Sequence, residues 1–136
     1  MSSELEAPLV GCEYRYGSDD CYGLVRRWYW QTRGIVLRDF PRGAETADGD
    51  GNAFTSYYAE AGFVPVALDA PLEVGDMLLM RVASRNLAPN HSGVYLGGDL
   101  LLHHLPKRLS MREGLPRYRD RVTHILRYRR PLDGAS

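Results

Sequence analysis

From Asp20 to Arg33 apolar residues recur at helical spacing: Cys21, Leu24, Val25 and Trp28 fall at i, i+3, i+4 and i+7 and make one face. Asp19 and Asp20 are good N-caps and Gly34 a C-cap, so the spacing predicts a helix over 20–33. Gly23 is costly inside a helix and marks a close approach of another element. Turn formers crowd the stretch from Pro41 to Asn52, which reads as a loop. A shorter helix over 53–61, ended by Gly62, and a short extended piece over 63–68 are expected next. Beyond the turn at 71–76 the period changes to that of strands. Apolar runs over 77–82, 91–96, 100–105 and 122–128 are strand candidates, with a polar loop over 84–90. Gly97-Gly98-Asp99 between the second and third is a hairpin signal. Helices first and antiparallel strands after predict the α+β class, with N-terminal helices packed on a central antiparallel sheet.

The chain has 136 residues, which fits a single domain over 1–136, long enough to bury a core without disulfide staples. Seventeen basic residues balance 17 acidic ones, which argues against a nucleic-acid-coating protein. No apolar run is long enough to cross a membrane, so membrane insertion is not expected. Charge is uneven: nine Lys and Arg lie between Leu105 and Arg130 against Glu113 and Asp120, whereas 39–76 is acidic. A solvated surface is the plainer explanation of both stretches. The start carries two acids, no base and no apolar core before Leu9-Val10-Gly11-Cys12, unlike a signal peptide. Synthesis in a cytoplasm, with export by other means, is the expectation.

Cys21 is a candidate nucleophile. At a helix N-terminus, backbone N–H groups and the dipole favour thiolate over thiol. Taken alone it reads rather as a small buried apolar residue, since most cysteines are inert and buried. The hairpin changes the weighting. His91 opens one strand, and His103 and His104 lie on its partner. Neighbours in a strand point to opposite faces, so only one of the latter shares a face with His91 and the other faces away. A base oriented by a second polar side chain is the usual arrangement behind a catalytic Cys. A zinc site from Cys21, His91 and His103 fits no common spacing, and neither metal nor cofactor is expected.

Tyr14-Arg15-Tyr16-Gly17, Asp20-Cys21-Tyr22-Gly23-Leu24, Pro71-Leu72-Glu73-Val74-Gly75-Asp76, His91-Ser92-Gly93-Val94-Tyr95-Leu96-Gly97 and Leu101-Leu102-His103 occur in that order. Together they resemble the ordered motifs of the NlpC-type cysteine peptidases, papain-like bacterial cell-wall endopeptidases, over a motif core of about 14–104. The resemblance implies a papain-like fold with Cys21 as nucleophile, His91 as general base and His103 as the third polar residue. Tyr14 matches a tyrosine whose side chain approaches the nucleophile, and Asp20 is given a capping role. Most wall-peptidase members have Ser after the Cys, where this chain has Tyr22. Asp-Cys-Tyr-Gly-Leu, and Leu102-His103-His104-Leu105 followed by Arg108-Leu109-Ser110, are more similar to the C-terminal domain of tail-assembly proteins of lambda-type phages.

The function so implied is hydrolysis of peptidoglycan stem peptides, usually between D-glutamate and diaminopimelate, by a Cys-His-His triad. Phage tail-tip proteins are the implied partners, and the implied place of action is the tail tip, working on the host wall. Arg108 and Arg112 could meet substrate carboxylates, or form a solvated basic surface. Two other readings stay open: a structural tail-tip subunit with little activity, and another papain-like amidase or acyltransferase. Cys12 lies outside these motifs and reads as structural or incidental. Trp28 is expected in the core, with at most one of Tyr29 and Trp30 exposed.

Overall fold

A computed structural model describes residues 9–15, 20–39, 58–82 and 91–129. The loops expected over 41–52 and 84–90 lie outside the described residues, as does most of the helix expected over 53–61, of which 58–60 are helical. The first helix, α1, spans Cys21–Arg33. The Asp20 carboxylate accepts the Gly23 N–H at 2.9 Å and caps it. Gly34 closes it in the left-handed region at φ 66°. Tyr22, Leu24, Val25, Trp28 and Tyr29 are buried, whereas Trp30 is exposed.

Six strands follow: β1 (Phe63–Val66), β2 (Met77–Met80), β3 (His91–Gly97), β4 (Leu100–His103), β5 (Met111–Gly114) and β6 (Val122–Tyr128). They form one antiparallel sheet in the order β1-β6-β2-β3-β4-β5. β3 and β4 are joined through Gly98 and Asp99, both at positive φ (56° and 62°), the backbone of a tight hairpin turn. β2 is shorter than the apolar run over 77–82, and its pairing with β6 shifts between Leu79 and Met80. β4 ends at His103 because the chain leaves the ladder ahead of Pro106.

β5 is a strand that the apolar pattern does not predict. Met-Arg-Glu-Gly has one apolar residue, and an edge strand with one partner needs little more. It pairs with β4, Leu101 opposite Glu113 and His103 opposite Met111. Two short 3-10 turns, Leu115–Arg117 and Arg119–Arg121, then lead into β6.

Each sheet face has its own core. On one face Leu24, Val25, Trp28 and Tyr29 of α1 pack on Met77, Leu79, Val94, Leu102 and Leu126. On the other, Leu78, Met80, Leu101 and Ile125 meet Leu115 and Tyr118. The turn before β2 is tied down by buried Asp76, which accepts Nε and Nη2 of Arg127 in a forked pair, both at 2.9 Å, and the Glu73 N–H. Among the described residues no helix is long and apolar enough to cross a membrane.

Candidate active site

Cys21 is the first residue of α1, its side chain buried at the capped end of the helix. The first turn thus aims backbone N–H groups at the region of the thiol. α1 packs chiefly against β3, whose own first residue is His91. Tyr22, the residue that departs from most wall peptidases, is a core anchor: its hydroxyl donates to the Arg38 carbonyl at 2.6 Å and its ring packs on Tyr58. Neither Cys12 nor Cys21 is in a disulfide, and the Cys12 sulfur accepts from Arg27 at 3.4 Å.

His91 and His103 are brought together. Gly93 lies opposite His103 in the ladder, so strand alternation puts His91, two residues before Gly93, on the same face as His103. His91 Nε2 and His103 Nδ1 are 2.9 Å apart, with both rings buried. Gly93 makes the approach possible. A Cβ there would stand 2.9 Å from the Leu102 carbonyl oxygen and 3.0 Å from His103 Cβ. Burial pushes the His91 imidazole well below its ordinary pKa, and the neighbouring His103 and His104 push it the same way. Burial also lowers His103, against the opposing pull of Glu113.

That glutamate was not singled out by the sequence. Glu113 Oε1 lies 2.7 Å from His103 Nε2 and accepts the Tyr118 hydroxyl at 2.8 Å, while Arg117 lies 3.5 Å from its other oxygen. Burial raises the Glu113 pKa, but hydrogen bonds from His103 and Tyr118 with the charges of His103 and Arg117 outweigh it, and the net shift is down. The Tyr118 ring packs edge-on to His103 with centroids 4.8 Å apart. The available signal was an acid at a half-buried alternating position inside a basic stretch, ten residues after His103.

His104 lies just beyond the end of β4. It is fully buried, its Nε2 lies 2.9 Å from the Arg108 carbonyl, and its ring packs edge-on to Tyr14 at 5.0 Å. The Tyr14 segment is held by buried Ser110, whose backbone pairs with Gly11 and Cys12 (2.8 and 2.9 Å) and whose hydroxyl accepts the Cys12 N–H. The Arg108 guanidinium is exposed and reaches Met111 Sδ at 3.9 Å. Arg112 is exposed on β5. His124 shares a hydrogen bond with Thr123 on β6. Among the described residues no group of three or more His, Cys, Asp or Glu side chains is placed to hold a metal ion. The chemistry at hand is that of a buried imidazole pair ending on a carboxylate, on the sheet packed beneath a cysteine-headed helix.

The chain is 37% identical over 121 residues to "Tail tip assembly protein K" of Escherichia phage lambda, covering 87% of this chain and 57% of that protein. It is 35% identical over 128 residues to the protein of the same name from Escherichia phage N15, covering 91% of this chain and 51% of that protein. The chain thus spans about half the length of these two relatives. Among solved structures, the NlpC/p60 domain of peptidoglycan hydrolase SagA superposes with a TM-score of 0.53 at 18% identity, over 91% of this chain and 93% of that one. An NLP/P60-family lipoprotein-like protein from Staphylococcus aureus gives 0.61 at 18% identity, over 94% of this chain and 40% of that one. These neighbours share the papain-like fold, a helix packed on an antiparallel sheet. The NlpC/P60 family model matches residues 11–127, and the chain belongs to that family.

Proposed function

We propose that this chain is a cysteine endopeptidase of peptidoglycan stem peptides, acting in the host wall as part of a phage tail tip. The observation that carries the reading is the buried 2.9 Å contact between His91 Nε2 and His103 Nδ1. It occupies one nitrogen of His91 and leaves Nδ1 for the reaction. Cys21 and His91 each open their element, and the reading has thiol and imidazole meet between α1 and β3. His91 Nδ1 takes the Cys21 proton, and the thiolate attacks the scissile carbonyl carbon. The oxyanion is met by the Cys21 backbone N–H, with the Tyr14 hydroxyl as a second donor. The C–N bond breaks as His91 returns its proton to the leaving amine, and a thioester remains. Water, deprotonated by His91, attacks the thioester and the thiolate leaves. His103 orients the His91 ring throughout, and Asp20 holds the helix end that presents the thiol.

The names of the hydrolase neighbour and the phage relatives support the two halves of this reading, wall substrate and tail-tip location. By the family resemblance, the bond is that between D-glutamate and diaminopimelate. The test is hydrolysis of a synthetic stem peptide containing that bond. Removal of a general base costs about 10²–10⁴ in rate, so His91→Ala should fall by that factor while still folding. Equal turnover by His91→Ala and wild type would overturn the assignment. A second reading, a tail-assembly subunit without activity, is favoured by the assembly role named for both relatives. It predicts that Cys21→Ala supports tail formation and host entry as well as wild type does.

A further inference from the structure

The line of hydrogen bonds through His91 and His103 continues to Glu113, which has no part in the triad described above. We propose that Glu113 is a positioning residue of the site: its carboxylate fixes the tautomer of His103 and, through it, that of His91. The proposal rests on the peptidase reading only for its last step, in which His91 takes a proton from Cys21.

An ionised carboxylate can only accept hydrogen bonds. The 2.7 Å contact of Glu113 Oε1 with His103 Nε2 therefore requires the proton on that nitrogen. A neutral His103 then has a bare Nδ1. The 2.9 Å contact of that Nδ1 with His91 Nε2 in turn requires the proton on His91 Nε2. A neutral His91 is left with a bare Nδ1, the form a general base needs. With the opposite order, His91 would carry its proton on Nδ1 and could not accept another there. A wrong tautomer of this kind costs a catalytic triad several orders of magnitude in rate.

The surroundings hold the arrangement in place. Tyr118 donates to the same carboxylate oxygen at 2.8 Å, and its ring sits edge-on to His103. Arg117 faces the other oxygen at 3.5 Å. Among the described residues, His104 also acts on both rings and Arg108 on His103. His104 and Arg108 oppose a positive charge on the imidazole pair, and Glu113 favours one. When His91 becomes an imidazolium, the Glu113 charge two hydrogen bonds away offsets it without any proton leaving His103.

The test uses the full chain in a Cys12→Ser background, with wild-type Glu113, Glu113→Gln and Glu113→Ala, each checked for folding by circular dichroism. Ring nitrogen chemical shifts report the tautomers, and the rate of Cys21 alkylation by iodoacetamide against pH reports the thiolate. The expected wild-type state has protons on Nε2 of both rings. Glu113→Ala should mix the tautomers, lower alkylation at neutral pH by about 10- to 100-fold, and move the midpoint of the pH profile up. Glu113→Gln, whose amide oxygen still accepts, should keep the tautomers but share the upward shift. Wild-type rings protonated on Nδ1 would overturn the proposal without recourse to any variant. So would a Glu113→Ala protein with unchanged tautomers and an unchanged midpoint. If wild-type Cys21 alkylates as an ordinary thiol while the tautomers still follow Glu113, the peptidase reading fails and the positioning role stands.

Discussion

Gly93→Ala tests the packing that brings the two histidines together. The added Cβ would stand 2.8 Å from Leu101 Cδ1, 2.9 Å from the Leu102 carbonyl oxygen and 3.0 Å from His103 Cβ, where ordinary contacts lie at 3.4–4 Å. The Leu101 methyl can rotate away. The carbonyl and the His103 Cβ belong to the frame of β4, which would have to retreat by about half an ångström in a close-packed sheet. Overpacking of this kind costs about 1–3 kcal/mol. Replacing a strand glycine by alanine returns about 0.5–1 kcal/mol of backbone entropy. The net expectation is a loss of about 1–2 kcal/mol. Urea denaturation should show it as a lower midpoint at unchanged slope. The same displacement stretches the 2.9 Å contact between His91 and His103, so their ring signals should move as well. An unchanged midpoint with unchanged histidine signals would refute the claim that Gly93 sets the approach of β4.

Asp76→Asn removes the buried carboxylate charge facing Arg127, which keeps Glu73 at 3.1 Å, and should cost about 1.5–3 kcal/mol by denaturation; a change under about 0.5 kcal/mol would mark the pair as surface-like. Asp20→Ala removes the cap of α1 and should cost about 1–2 kcal/mol while slowing Cys21 alkylation, because the helix end that carries the thiol frays. Stability should also fall with pH from about 6.5 downward. Burial lowers the pKa of both His91 and His103, so below that pH the unfolded chain binds protons that the folded chain does not, until the folded rings also titrate. A melting temperature that stays flat between pH 7 and 5 would contradict the burial of the pair.

What could be read in the sequence was what repeats or punctuates. Cys21, Leu24, Val25 and Trp28 share one helix face, and Gly98-Asp99 closes a hairpin, because period and turn chemistry are local properties. That only one of His103 and His104 can pair with His91 follows from strand alternation, and the family resemblance singles out His103, which lies 2.9 Å away. β5 was not legible, since an edge strand needs few apolar residues and Met-Arg-Glu-Gly offers one. Glu113 went unseen for the same reason: its meaning depends on the pairing of β5 with β4, a contact that no local pattern encodes. The contact of His104 with Tyr14 was not legible, because strand alternation stops at the end of β4 and the ring of the next residue packs on Tyr14. The departure at Tyr22 is a matter of packing, with its hydroxyl spent on the Arg38 carbonyl.

The most direct test of the peptidase reading is digestion of purified peptidoglycan sacculi by the wild-type chain and by Cys21→Ala, with soluble products resolved by mass spectrometry. The account predicts stem-peptide fragments cut after D-glutamate from the wild type and none from the variant. Identical product profiles from the two proteins, with or without fragments, would contradict it.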